Sequence, residues 1–306
     1  MGNSIRRRRP KQESKHSDGD EFVMEPEESE EMTDFLRIHF SRCIEYASGA
    51  DPALQKEVAE RLANEAVKPS QQAYIVQLGA LRLLLPLTEA RDPEVQRLAA
   101  HALANLSVNA ENQIFMAENG GIEMIVNLLN TSSMLAQRQA CKALANLGVN
   151  KNNKTLIARH GGIPPLVRCV ESEDILVAVE AVAALANLAV DDDNEIAIAE
   201  AGGLSAILKS AQRPSIELKC QVARATRNLS VNDGNRRILI SLGGVAILQE
   251  MALHPERKIS TQSGVALANL EACLSQEEEG KSAEEDGKSA EGDGKSDEEG
   301  DGKRGN

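Results

Sequence analysis

Apolar positions recur along this chain with a helical period. In "IEMIVNLLN", Ile122, Ile125, Val126 and Leu129 fall on one helix face. In "MLAQRQACKALANLGV", Leu135, Ala140, Leu144 and Leu147 follow the same period approximately. A shorter apolar-periodic stretch, "ENQIFMAEN" from Glu111 to Asn119, stands before them and stops at Gly120-Gly121. Glycine tolerates the left-handed backbone that follows a helix C-terminus. Polar Thr131-Ser132-Ser133 separates the second stretch from the third. The pattern predicts a unit of a short, a medium and a long helix. Pro52, Pro93, Pro214 and Pro255 stand near the starts of several long helices, and proline suits a first helical turn.

The unit repeats. "ALANLSV", "ALANLGV", "ALANLAV", "ATRNLSV" and "ALANLEA" place Asn105, Asn146, Asn187, Asn228 and Asn269 at steps of 41 residues without insertion. One step earlier lies Asn64, in "RLANEA". Gly120-Gly121, Gly161-Gly162, Gly202-Gly203 and Gly243-Gly244 keep the same step, and Gly79-Ala80 extends it backwards. Two landmarks with one period predict a solenoid of helical repeats. No unit can bury its apolar face alone, and stacking the next unit does so. "FLRIHFSRCIEYA" reads as an amphipathic helix covering the first open end, and the last unit ends near Leu274.

Aromatic residues make up only 2% of the chain and Trp is absent, so Leu, Ala, Val and Ile must fill the core. The net charge of −13 belongs to the ends. Residues 1–20 carry six Lys/Arg against three acids, 21–34 carry seven acids and no base, and 277–306 carry twelve acids against five bases. Three segments follow: a basic-then-acidic arm over 1–32, a solenoid over 33–274 and an acidic tail over 275–306, with both ends of disordered composition. The five cysteines show no paired spacing and read as reduced, buried thiols of a cytoplasmic or nuclear protein. No stretch reaches the roughly 18 apolar residues of a membrane span.

The repeat resembles that of armadillo-repeat proteins across roughly 34–274, through the Gly landmark, the spacing and the "ALxNL" signature. The resemblance implies an all-α, right-handed superhelical solenoid of about six three-helix repeats. It implies that third helices line a concave groove, where the matching asparagines, Asn64 and Asn269 included, grip the backbone of an extended peptide. A planar amide offers one acceptor and two donors to a peptide unit. The alternative is that these asparagines cap a helix or bond the neighbouring layer. Four residues before the asparagines stand Glu60, His101, Lys142, Ala183, Arg224 and Val265, and eight before come Arg97, Arg138, Val179 and Cys220. The nuclear-import adaptors typically hold Trp at the former place. Without Trp the chain is closer to the catenin type, or to the lipid-anchored vacuolar and armadillo-repeats-only scaffolds. The groove is then basic at Arg97, His101, Arg138, Lys142, Arg224 and Arg227, and apolar at Val179 and Ala183.

The expected function is a non-catalytic scaffold that binds acidic or mixed acidic-apolar segments of other proteins. The acidic tail is a candidate to fold back onto the groove. At the N-terminus three readings stay open: a myristoylated Gly2 helped onto anionic membrane by Arg6, Arg7, Arg8 and Arg9, a nuclear-localisation tract in "RRRRPK", or a plain arm. Arg6 departs from the usual Ser/Thr of a myristoylation start. The membrane reading makes the chain a tethered adaptor that recruits partners to an organelle. His16, His39, His101, His160 and His254 do not cluster in sequence, no phosphate loop appears, and no cofactor or metal is implied. Scarce aromatics argue against nucleic acid.

Overall fold

A computed structural model describes the backbone of residues 32–292 and the side-chain surroundings of residues 38–276. The expected arm, with Gly2 and Arg6 to Arg9, and residues 293–306 lie outside them. The described backbone holds seventeen helices and no strand. α1 (Met32–Ser48) and α2 (Pro52–Ala66) open the array. Five units follow, each ending in a long third helix. They are α3 (Pro69–Gln77), α4 (Ala80–Thr88) and α5 (Pro93–Leu106), then α6 (Ala110–Glu118), α7 (Gly121–Leu128) and α8 (Met134–Leu147). Next come α9 (Lys151–Arg159), α10 (Ile163–Val170) and α11 (Ile175–Leu188), and α12 (Asp192–Glu200), α13 (Gly203–Ser210) and α14 (Ile216–Leu229). The last unit has α15 (Asp233–Ser241), α16 (Gly244–Ala252) and α17 (Arg257–Gly292). Third helices stack in order, α2 on α5, α5 on α8, α8 on α11, α11 on α14 and α14 on α17.

The helix boundaries have local causes. Asn109, Asn150, Asp191 and Asn232, one per layer, cap the first helices by accepting backbone N–H bonds. Asp51, Asp92, Ser133, Asp174 and Ser215 do the same for third helices. The two glycines of each pair serve different ends. Gly161 sits at φ +72°, where an L side chain is strained. A Cβ on Gly162 would lie 2.8 Å from Ile157 Cγ2, so this residue lets the second helix close onto the first. Pro52 and Pro93 occupy first turns, as expected. Pro214 instead precedes the cap Ser215 of α14, and Pro255 precedes α17.

Leu103, Leu144 and Leu185, three turns of equivalent sequence, are fully buried. At the fourth place stands Thr226, also buried, whose hydroxyl donates back to the Val222 carbonyl. A second asparagine series, also at the 41-residue step, locks the layers together. Asn112, Asn153, Asn194 and Asn235 of the first helices are each only 2% exposed. Each Nδ2 donates to a carbonyl of the preceding layer's first helix: Gln72, Gln113, Lys154 and Glu195, at 2.9–3.2 Å. All five cysteines are free; Cys220 is half-buried and the others are buried.

α1 packs against α2 and α4, as a covering helix should. At the other end the array closes with α17. α17 continues as helix to Gly292. Glu, Lys, Ala and Gln are good helix formers, and extending a helix already nucleated by packed turns is cheap. The last residue described as buried is Cys273.

Candidate functional site

The third-helix asparagines sit near the ends of α5, α8, α11, α14 and inside α17, where the period of the helix brings them to one face. Unlike the first-helix series they are half-buried. Asn146 Nδ2 donates to the Ala104 carbonyl at 3.2 Å and to Ser107 Oγ at 3.1 Å. Asn187 Nδ2 donates to the Ala145 carbonyl at 2.7 Å, and Asn228 Nδ2 to the Ala186 carbonyl at 2.8 Å. Asn269 Nδ2 reaches Ser230 Oγ at 2.9 Å. These four amides therefore bond the layer before them through their nitrogens. The oxygen stays available: no described residue donates to Asn146 Oδ1 or Asn228 Oδ1, whereas Asn187 Oδ1 accepts from Arg224 at 2.9 Å. Asn105 Nδ2 is buried without a partner. Asn64, in the terminal layer, is exposed.

The cations expected beside this ladder divide into two groups. Toward the N-terminal layers they are already answered. Arg97 makes a two-pronged bond to the Glu94 carboxylate, Nε and Nη2 each at 2.7 Å. Burial, then Arg97 and Lys142, push the His101 imidazole below its ordinary value of 6.5, so it is neutral at neutral pH. Arg138 and Lys142 face Glu180, whose carboxyl is raised above 4.5 by burial and partly pulled back by these two cations. Toward the C-terminal layers Arg224 and Arg227 pair with no carboxylate among the described residues. Arg224 bonds Asn187 Oδ1 and the Ala183 carbonyl, while its Nε is buried without a partner. Arg227 donates to Gln262 Oε1 at 2.8 Å. Burial, then Arg227, lower the proton affinity of Arg224.

The middle of the face also differs from the apolar patch expected there. Val179 and Ala183 are buried, at 4% and 9% exposure, and belong to the interlayer core. Glu180 is the polar group next to them. It belongs to a series seven residues before the asparagines, Gln139, Glu180, Gln221 and Gln262, two turns away on the same face. Reading the positions four and eight back passed over this series, although the same step marks it. Gln139 Oε1 and Gln221 Oε1 are buried without partners. Between α11, α14 and α17 the face sinks into a concavity of about 470 Å³ lined by Asn187, Val190, Gln221, Arg224, Arg227, Asn228, Lys258 and Gln262, with Cys220 at its edge. The site is thus an open polar trough. It offers carbonyl oxygens of amides and three cations to a chain laid along it. Among the described residues no group of three His, Cys, Asp or Glu could hold a metal, and no helix is long and apolar enough to cross a membrane.

Comparison with known proteins bears on this architecture. The family model described as Armadillo-like matches residues 83–248. An engineered protein from a structural-genomics series is 31% identical and superposes with a TM-score of 0.70, over 76% of this chain and 96% of its own. A designed armadillo repeat protein is 25% identical, with a TM-score of 0.69 over 75% and 98% of the two chains. Another, solved in complex with the peptide (KR)4, is 24% identical with a TM-score of 0.68, over the same shares. The comparison with curated proteins gives no match.

Proposed function

We propose a function from one premise: this chain belongs to the Armadillo-like family, a family of non-catalytic scaffolds. It binds extended segments of other proteins along the third-helix face. The observation that carries this reading is the contrast between the two asparagine series. The first-helix amides are 2% exposed and serve the stack alone. Asn146, Asn187, Asn228 and Asn269 spend a nitrogen on the stack and stay partly exposed, and in Asn146 and Asn228 no described residue takes the oxygen. An amide oxygen so held accepts a hydrogen bond from a peptide N–H without reading its side chain.

The segment's acidic part lies over α14 and α17. There, among the described residues, Arg224 and Arg227 pair with no carboxylate, and Lys258 lines the same concavity. At the other end Arg97 is held by Glu94 and His101 carries no charge. Affinity capture from cell lysate with the full chain tests the reading. Asn146→Ala/Asn187→Ala is expected to lose most partners that the wild type retains. If every captured protein survives that double change, the face is not the working surface. Capture in rising salt tests the charge: Arg227→Gln/Lys258→Gln is expected to weaken the salt dependence, and Arg97→Gln to leave it nearly unchanged.

A further inference from the structure

A third series keeps the 41-residue step, and nothing in the stack requires it. Val67, Val108, Val149, Val190 and Val231 each stand three residues after a third-helix asparagine. Their side chains are 56, 58, 66, 64 and 66% exposed. Scattered exposed apolar residues are ordinary, but one branched side chain per layer in fixed register is a stripe. Its geometry repeats too. The amide N–H of Val108, Val149 and Val231 donates to the carbonyl of Asn105, Asn146 and Asn228 at 3.2–3.4 Å. These three valines therefore sit one tight turn beyond their asparagines. Val190 joins Asn187 and Asn228 in the concavity between α11, α14 and α17, beside Arg224, Arg227 and Lys258.

Resting on the peptide-binding reading above, we propose that these valines are the side-chain-selective part of the site. The occupant is an extended segment of another protein with one apolar side chain per layer and carboxylates at its α14–α17 end. The asparagines hold its main chain, which any sequence satisfies. The valines select where its apolar side chains fall, because each contact removes apolar surface from water on both partners. Arg224 and Arg227, paired with no carboxylate among the described residues, supply the polarity that sets which end lies where. Val190, shared between stripe and cation cluster, fixes the two features on one ligand.

The test uses the full chain and fluorescent synthetic peptides of about 14 residues, long enough to cross four layers. They share one composition of Leu, Ser, Gln and Glu. Leucines are spaced two residues apart, three residues apart, or run consecutively, with the glutamates at either end. At least one spaced peptide is expected to bind about tenfold tighter than its consecutive counterpart. Val108→Thr/Val149→Thr/Val190→Thr/Val231→Thr is expected to abolish that advantage with an unchanged thermal midpoint, since these side chains are exposed. Equal affinity of spaced and consecutive peptides, or an advantage that persists in the threonine variant, overturns the proposal. The Asn146→Ala/Asn187→Ala protein separates the two ideas. If it loses binding while the threonine variant keeps it, the stripe fails and the asparagine reading stands. If it binds as the wild type does, the asparagine reading itself fails.

Discussion

Two asparagines of adjacent layers, Asn153 in α9 and Asn146 in α8, have the same chemistry and different burdens. Asn153 is enclosed, and its nitrogen satisfies the Gln113 carbonyl. Removing it in Asn153→Ala strands a buried carbonyl and is expected to cost about 2 kcal/mol in denaturant unfolding. Asn146→Ala, at a half-open site, is expected to cost about 1 kcal/mol while affecting binding far more. The glycines carry a parallel distinction. Gly161→Ala forces a methyl-bearing residue into φ +72° and is expected to lose about 1–2 kcal/mol. Gly162→Ala meets Ile157 instead and fails by collision. Titration follows the same local logic. The folded His101 holds its proton less tightly than the unfolded chain, so stability falls as pH drops through 6.5. The folded Glu180 holds its proton more tightly than its ordinary 4.5, so acidification through that raised value relieves a penalty present at neutral pH. His101→Gln is therefore expected to lessen the loss of stability in mild acid. Glu180→Gln is expected to raise stability at pH 7 and remove the relief. Thermal unfolding across pH 7 to about 4.5 reads both.

At the scale of the element, the glycine breaks and the third-helix apolar period were legible in the sequence because each is a local matter of backbone conformation and side-chain spacing. Partnerships across layers were not. That Asn112, Asn153, Asn194 and Asn235 bond carbonyls some 40 residues back is a property of the packed stack, not of any helix alone. The same holds for Glu180 facing Arg138 and Lys142 from the next third helix. The pairing of Arg97 with Glu94 was readable, being three residues apart on one helix, but competed with the basic stripe for attention. The earlier turns of α17 are anchored by Ile259, Ala266 and Leu270. Ending the chain after Gln276 keeps every residue described as buried. The shortened protein is expected to melt within about 2 °C of the full chain, with lower mean-residue ellipticity change than the loss of a packed helix would give.

For the whole array the decisive property is that neighbouring layers meet through equivalent residues. Asn146, Asn187 and Asn228 each reach 42 residues back, to Ala104, Ala145 and Ala186. Removing residues 150–190, one full period, joins Val149 to Asp191 and recreates the same kind of junction. That shortened chain is expected to fold, with a lower melting temperature because one stacking interface is gone. Removing a few residues fewer puts every downstream donor out of register and is expected to prevent folding. Circular dichroism and thermal melts of the two deletions distinguish them. The constant step has one more consequence, in mechanics. A chain tethered at both ends and stretched has no distant strand pairing to shear, only layers to peel from an open end. Each released layer frees 41 residues, roughly 14 nm of slack. Its force–extension trace should be a staircase of evenly sized drops, with the array behaving as a ratcheted spring.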